Sequence, residues 1–413
     1  MINKTIKSIT VIGAGRVGYP LALHLESMGF HVCVVDRDPA RVSQINQHQM
    51  GFYEPGFDEL LETSKIAAFE PWNMPDTDAY IITVGTPVMD HGEPDVKQVT
   101  SAITSIGAAN LIKDKLLILR STLAPGTMQY IKSFIQWRYN LSSLGDYYLT
   151  YCPERIAECH ALSELRTLPQ IVGTEDWAVF ELASQVFTQC VRCLHTTFEE
   201  AELAKLFSNT YRYINFAIPN YFQMIASQFG QDYSEIERVM MDGYPRLQNL
   251  ASPGLVGGTC LRKDFAMLGE GGLGFTLADA AHQTNEAYAV WIADQAAKIG
   301  RYGKVGIFGL AFKANSDDLR DSLAIRVIRR LRRQGVSTIV CHEPNIQSST
   351  ITLPGGDVLF NSSIEALNQC DVIVICAPHY DYKFTIREDC AIIDPWNDSN
   401  NLSIFKTIEQ REQ

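Results

Sequence analysis

A short apolar run, Ile6 to Ile12, passes directly into Gly13-Ala14-Gly15-Arg16-Val17-Gly18, and the helical apolar pattern that follows closes near Gly29. A second apolar run, His31 to Val35, ends at Asp36, 18 residues beyond Gly18. Strand, glycine turn, helix, strand and acid in this order constrain the fold more than any other feature of the chain. Glycines let the backbone approach a pyrophosphate, the helix N-terminus favours its negative charge, and the acid accepts from a ribose hydroxyl. A bare glycine triplet is a weak signal; an acid close to the expected spacing of about 20 residues makes it a dinucleotide signature. A carboxylate at position 36 repels the 2'-phosphate of NADP, so NAD is the expected cofactor, although the adjacent Arg37 works against that preference.

Strands and helices continue to alternate. Ala79 to Val84 enters Gly85-Thr86-Pro87, and Leu116 to Leu119 enters Arg120-Ser121-Thr122. Loops beyond the carboxyl ends of parallel strands line the ligand crevice, which makes Thr86 and Thr122 candidate contacts; turn chemistry explains the same residues. After Tyr147 to Thr150 come Pro153-Glu154 and Glu158, two glutamates that share a face if the segment is helical. Thr197-Phe198-Glu199-Glu200 reads as a capping box, and the apolar pattern behind it sustains a helix to about Phe229. Lys205 and Asn209 lie four apart on that helix, among apolar neighbours, where a lysine seeks an anion or extends its ammonium to solvent. A second alternating region begins at Lys304 to Lys313 and continues through a basic helix, Ile325 to Gln334, and strands at Ser337 to Cys341, Val372 to Cys376 and Ala391 to Asp394, without a glycine triplet. The expected architecture is α/β: two Rossmann-like doubly wound lobes, 1–196 and 301–413, joined by a long central helix and a helical middle domain, 197–300.

Composition narrows the function classes. With 413 residues, 46% hydrophobic and 20% charged, the chain is long enough for two or three globular domains. A net charge of -12 argues against nucleic acid, whose partners carry a basic stripe. No apolar run approaches the roughly 18 residues that span a bilayer, and Met1 to Lys7 lacks the pattern of a secretory signal, so no membrane partner and a cytoplasmic location are expected. The ten cysteines are scattered, as free thiols in a reducing compartment would be. Cys190-Val-Arg-Cys193 has no second pair at ligand spacing, so no metal site is expected. The arginines at 326, 329, 330, 332 and 333 read as a solvated helix face.

Gly257-Gly258-Thr259-Cys260-Leu261-Arg262-Lys263-Asp264 places a thiol on a glycine-relieved backbone, with a cation and a carboxylate close behind. A nearby positive charge or base draws a thiol below its usual pKa of roughly 8.5, and the thiolate is the nucleophile.

Together these segments resemble the UDP-sugar 6-dehydrogenase family, from the first strand to the last. The marks are Gly13 to Gly18, Tyr53-Glu-Pro-Gly56, Gly85-Thr-Pro87, Ser121-Thr122, Pro153-Glu154, Lys205-x-x-x-Asn209, Gly257 to Asp264, Phe312-Lys313 and Asp318-x-Arg320. The resemblance implies a four-electron oxidation of a hexose C6 alcohol to a carboxylate with two NAD. In it Asp264, an ordered water and Thr122 help remove the alcohol proton, and Cys260 captures the aldehyde as a thiohemiacetal that is oxidised to a thioester. Lys205 and Asn209 support the oxyanion. Glu154 acts as base in thioester hydrolysis, and Glu158 lies near cofactor and water. Gly257, Lys313 and Arg320 belong to the nucleotide-sugar side, with Glu154, Lys205 and Asn209 also touching substrate. Arg246 matches an arginine that reaches a neighbouring subunit's substrate, which implies a homodimer. Three positions depart from the family pattern: Cys159 stands where glycine is usual, Arg262 where proline or an apolar residue is common, and Trp396 where arginine is frequent.

Pro153-Glu-Arg-Ile and the 14-residue interval from Arg246 to Cys260 resemble the UDP-N-acetylhexosamine branch, acting on the manno or gluco epimer, more than the UDP-glucose branch. Two other readings stay open: a two-electron hydroxyacid dehydrogenase, which needs no cysteine and releases one NADH, and a non-catalytic nucleotide-sugar sensor, which binds without turnover.

Overall fold

The computed structural model describes residues 2, 4–87, 94–188, 191–268, 276–300, 303–353, 356–379, 382, 384–396 and 404–407. Compactness divides the chain into two units, Met1–Ser208 with Ala266–Leu273, and Asn209–Phe265 with Gly274–Gln413. The helical middle that the sequence sets apart over 197–300 is shared between them.

The first unit carries strands β1 (Ser8–Ile12), β2 (His31–Val35), β3 (Ala67–Phe69), β4 (Ala79–Ile82), β5 (Leu116–Leu119), β6 (Tyr148–Tyr151), β7 (Gln170–Gly173) and β8 (Cys193–Thr196). Its helices are α1 (Gly18–Ser27), α2 (Pro39–Asn46), α3 (Asp58–Thr63), α4 (Lys97–Ala108), α5 (Thr127–Tyr139), α6 (Ala161–Leu165), α7 (Trp177–Ser184) and the start of α8 (Phe198–Gln228). Among the described residues the strands form one sheet in the order β3-β2-β1-β4-β5-β6-β7-β8. Pairing is parallel except between β6 and β7, which meet antiparallel at Tyr151 and Gly173.

Alternation along each strand explains why both faces are covered. Ile81 and Ile118 join one buried cluster with Leu21, Leu25, Val179 and Leu182, from α1 and α7. Their neighbours Tyr80, Ile82, Leu117 and Leu119 join the opposite cluster with Ile103 and Ile106 of α4 and Ile131 and Ile135 of α5. A strand buried on both sides must be apolar throughout, as Leu116–Leu119 is. β1 pairs with β2 on one side and β4 on the other. The strand order reverses there, and the crevice beyond the carboxyl ends of β1 and β4 is where such sheets take ligands.

The second unit contains the rest of α8, then α9 (Tyr233–Met241), most of α10 (Thr259–Leu268), α11 (Thr276–Gly300) and α12 (Leu323–Arg333). Its strands are β9 (Lys304–Phe308), β10 (Thr338–His342), β11 (Thr350–Thr352), β12 (Val358–Phe360), β13 (Val372–Ile375), β14 (Phe384–Arg387), β15 (Ala391–Ile393) and β16 (Ile404–Thr407). Four of them, β10-β9-β13-β15, form a parallel sheet. Val305, Ile307, Val372 and Val374 face Ile292 and Ala296 of α11 and Ile328 of α12. Phe308, Ile373 and Ile375 face Leu367, Ile386 and Cys390. The α/β class with parallel Rossmann-like sheets and a long central helix is as the sequence predicts.

The capping box at the start of α8 is formed reciprocally: the Glu200 N–H donates to Thr197 Oγ1 at 3.2 Å and the Thr197 N–H donates to Glu200 Oε2 at 3.1 Å. Caps of this kind are worth about 1 kcal/mol.

Candidate active site

In the first unit the glycine turn and Asp36 line a cavity of about 470 Å³, closed by Thr83, Val84 and Gly85 after β4 and by Gln98 and Ser101 of α4. The three glycines do different work. Gly13 has φ +97, and a Cβ on Gly18 would overlap the Gly13 carbonyl. A Cβ on Gly15 would meet no protein atom within 4 Å. The protein itself has no need of a bare backbone at 15; a ligand lying against it does. α1 also starts without a side-chain acceptor at its N-terminus, since Val17 occupies the cap, so its first N–H groups suit an anion. Asp36 Oδ2 accepts from the Ala14 N–H at 2.7 Å and its Oδ1 from the Asp38 N–H at 2.9 Å. The acid therefore holds the turn as well as facing the cavity. These features fit NAD.

Thr86 Oγ1 donates to the Thr122 carbonyl at 2.7 Å, linking the two strand exits. Ser121 Oγ donates to the Val84 carbonyl at 2.6 Å and reinforces the same link.

Glu154 is nearly buried. Arg120 Nε donates to its Oε2 at 2.7 Å, and its Oε1 accepts from the Arg155 and Ile156 N–H groups, both at 2.7 Å. Arg120 also donates to Gln170 Oε1 at 2.7 Å. The segment is an extended turn, so the two glutamates do not share a helical face as the spacing allowed. The carboxylate of Glu154 takes the N–H groups of its own successors, and Glu158 pairs with Arg16 at 2.6 Å. Nearby, buried Glu54 accepts from the Cys159 N–H at 2.9 Å and the Ala161 N–H at 3.0 Å. Cys159 itself has φ +63, the left-handed region that explains why glycine suits this position.

Lys205 is buried on α8, one turn before Asn209. Beside it on the helix, Glu202 Oε2 accepts from the Gly126 N–H and its Oε1 from the Met128 N–H, both at 2.7 Å, at the start of α5. Burial outweighs these contacts and pushes Glu202 up to about 7.

In the second unit Asn209 Nδ2 donates to Asp264 Oδ2 at 2.5 Å, joining α8 to α10, and Asp264 is fully buried. Cys260 is the second residue of α10, four before Asp264; its side chain and that of Arg262 lie outside the described residues, as does Cys190. The approach to α10 is clamped. Asn220 Nδ2 donates to the Gly254 carbonyl at 3.0 Å and its Oδ1 accepts from the Gly254 N–H at 2.8 Å. The Gly258 N–H donates to the Asp321 carbonyl at 3.1 Å. A Cβ on Gly257 would lie 2.8 Å from that carbonyl, so backbone packing alone requires this glycine. Trp396 lies against Gly254 and donates its indole N–H to the Ile375 carbonyl at 3.2 Å.

Lys313 is half-buried in the loop after β9. Arg320 in the same loop forms a forked pair with Asp318, Nε to Oδ1 at 2.9 Å and Nη2 to Oδ2 at 2.6 Å. Arg246 is exposed, with its guanidinium 5.5 Å from the Tyr244 ring centroid. Among the described residues no group of three or more His, Cys, Asp or Glu side chains is gathered as a metal site, and no helix is long and apolar enough to cross a membrane.

Arg120, Glu54, Glu202 and Arg16 were not singled out from sequence. An arginine at the exit of β5 and a Pro-Glu dipeptide beyond the exit of β6 are a paired signal that could have found the first of these.

Residues 7–191 match the NAD binding domain of the UDP-glucose/GDP-mannose dehydrogenase family, 199–287 its central domain and 306–400 its UDP binding domain. The chain is 31% identical over 393 residues to a UDP-N-acetyl-D-mannosamine dehydrogenase of Methanocaldococcus jannaschii, covering 93% of this chain and 88% of the relative. It is 29% identical over 403 residues to an NDP-N-acetyl-D-galactosaminuronic acid dehydrogenase of Ralstonia nicotianae, covering 92% and 93%. A solved UDP-D-ManNAc dehydrogenase from Pyrococcus horikoshii superposes with a TM-score of 0.81 at 26% identity, over 94% of this chain and 95% of that one.

Proposed function

Because the chain belongs to the UDP-glucose/GDP-mannose dehydrogenase family, we propose that it oxidises the C6 alcohol of a UDP-N-acetylhexosamine, UDP-N-acetylmannosamine first, to the uronic acid. Two of the relatives carry N-acetylhexosamine names, in keeping with the Pro153-Glu-Arg-Ile segment.

The observation that carries the reading is the Asn209–Asp264 hydrogen bond. It ties α8 at Asn209 to α10, whose second residue is Cys260. Bound NAD supplies the hydride acceptor for both oxidations. Gly13, Gly15, Gly18 and Asp36 would hold it, together with Thr86, Thr122 and Glu158. Asp264, with Thr122 and a water, takes the alcohol proton. Cys260, in the first turn of α10, adds to the aldehyde carbon. Lys205 and Asn209 stabilise the oxygen that becomes negative; one such donor is typically worth about 3 kcal/mol. Glu154 serves the final hydrolysis. Its carboxylate is engaged by Arg120 and two N–H groups, which support it as a fixed acceptor orienting the attacking water. Gly257, Lys313 and Arg320 serve the UDP-sugar.

The enzyme acts as a cytoplasmic homodimer supplying uronic acid for polysaccharide synthesis, with Arg246 reaching the partner's substrate. An exposed apolar face made by Tyr221 and Phe222 of α8, Phe229 just after it, and Ile236 and Val239 of α9 borders an apolar groove of about 350 Å³ and suits a second copy. Sedimentation of a single monomeric species at micromolar concentration would reject the dimer.

Purified protein assayed with NAD against a panel of UDP-sugars should release two NADH per sugar and a carboxylate, fastest with UDP-N-acetylmannosamine. Cys260→Ala should make no acid while binding NAD as before. One NADH with a released carbonyl compound would sink the covalent route.

A further inference from the structure

Each unit contains the same fastening, differently completed. In the first, the Gly13 N–H donates to the Val35 carbonyl at 2.8 Å, and the acid after β2, Asp36, takes the next N–H, that of Ala14. In the second, the Gly309 N–H donates to the His342 carbonyl at 2.9 Å, and the acid after β10, Glu343, takes the N–H groups of Leu310 at 2.7 Å and Ala311 at 2.8 Å. Asp36 borders a cavity, whereas Glu343 is fully buried. Its other oxygen, Oε1, accepts from the Asn345 N–H at 3.1 Å and lies 3.3 Å from Nε2 of His379, which is also fully buried. A ribose cannot reach this acid.

His379 continues the chain of contacts outward. Two N–H donors converge on its Nδ1, the Asn315 backbone at 3.0 Å and Asn345 Nδ2 at 3.1 Å, which sets Nδ1 as the acceptor and leaves the ring proton on Nε2, close to Glu343 Oε1 but out of line for a hydrogen bond to it. Asn345 Nδ2 also donates to the Ser316 carbonyl at 3.1 Å. The ring stands edge-on to Phe308 of β9, centroids 5.7 Å apart. Asn361 holds the Glu343 backbone on both sides, its Oδ1 accepting from the N–H at 2.8 Å and its Nδ2 donating to the carbonyl at 3.1 Å. Burial raises the Glu343 carboxyl, but His379 and the backbone donors outweigh it and hold it below the ordinary value.

We infer that Glu343 and His379 form a buried latch that positions the loop 309–322, and with it Lys313 and Arg320, for the nucleotide end of the sugar substrate. The inference rests on the proposed UDP-sugar reading. Glu343 fastens the beginning of the loop at Leu310 and Ala311, and His379 with Asn345 fastens its middle at Asn315 and Ser316, on either side of Lys313. Asn315 has φ +54, so the loop makes a sharp left-handed turn where His379 grips it. In this lobe the nucleotide is held by a loop whose shape the acid maintains, and not by the acid itself.

Isosteric variants test the latch. Asparagine places an acceptor near Nδ1, and glutamine reaches the position of Nε2 but leaves Asn315 and Asn345 without theirs. His379→Gln should raise the KM for the UDP-sugar and weaken UDP binding in calorimetry by about tenfold, as expected for a lost buried acceptor. The KM for NAD should stay unchanged and kcat within about threefold. His379→Asn should restore most of the loss. Should His379→Gln fail to fold, Asn345→Ala carries the same expectation, because it removes the tie to Ser316 and leaves the His379–Glu343 pair. Equal KM values for wild type, His379→Gln and Asn345→Ala would overturn the latch, as would a change in NAD KM as large as that for the sugar. A wild-type protein that neither turns over nor binds UDP-sugars would instead reject the functional reading, and the latch with it.

Discussion

Asn209 Nδ2 donates to Asp264 Oδ2 at 2.5 Å inside a buried region, a hydrogen bond from α8 to α10 that accompanies the Tyr213–Phe265 ring contact. A hydrogen bond to a charged group is worth about 1.5–3 kcal/mol, and loss of an oxyanion donor costs roughly a hundredfold or more in kcat. Asn209→Ala should therefore lower unfolding free energy by about 2 kcal/mol and kcat by about a hundredfold. Urea titration and steady-state rates measure the two losses. A variant as stable and as active as wild type would remove the contact from both roles.

Gly15 and Gly18 separate binding from folding. Gly15→Ala places a methyl group where no protein atom stands within 4 Å, so its melting temperature should match wild type while the KM for NAD rises by about tenfold, equivalent to about 1.4 kcal/mol. Gly18→Ala drives a methyl group into the Gly13 carbonyl and should cost about 2–3 kcal/mol of stability. Equal stability losses in the two variants would contradict this division.

Glu202 predicts a pH dependence of stability. Burial moves its carboxyl from 4.5 up to about 7. Between these values the folded chain holds a proton that the unfolded chain has released. The associated stability is full below about pH 4.5 and is lost as pH rises through 7. From pH 5 to pH 8 wild type should lose on the order of 2–3 kcal/mol more than Glu202→Gln, which cannot titrate. Parallel pH profiles from urea unfolding would show that Glu202 does not titrate in this range.

Cys159 carries a side chain in a left-handed conformation, which costs an L-residue about 1–2 kcal/mol. Cys159→Gly relieves that cost and loses the buried sulfur, so it should fall within about 1 kcal/mol of wild type. Cys159→Val adds branching at the same φ and should be less stable than the glycine variant by about 2 kcal/mol. Calorimetric melting of both variants decides between them.

Local chemistry made much of the fold legible. The second strand runs His31–Val35 and the fifth Leu116–Leu119, as their apolar runs and turn residues indicate. The capping box set the start of α8, and its apolar pattern ended within a residue of Gln228. The glycine turn with Asp36 disclosed the first cavity because each residue there answers a local geometric need. Arg120, Glu202, Glu343 and His379 stayed hidden because their partners lie 34, 76, 33 and 64 residues away. A charged side chain reads as surface until the fold buries it. Cys159 was visible only as a departure from a pattern; its φ supplied the reason. Glu154 and Glu158 could share a face only if their segment were helical, and it is extended instead.

The quiet of the sulfur chemistry has a practical consequence. Cys33, Cys152, Cys159, Cys341, Cys370, Cys376 and Cys390 are buried and Cys193 is half-buried. Burial drives Cys152 and Cys341 up to about 12 and Cys370 up to about 11. Haloacetamides react with thiolates, so these described cysteines present such reagents with an almost silent background. Any rapid stoichiometric adduct then maps, by peptide mass alone, to a thiol outside this buried set, and a saturating nucleotide-sugar that slows the labelling turns the chain into its own ligand sensor.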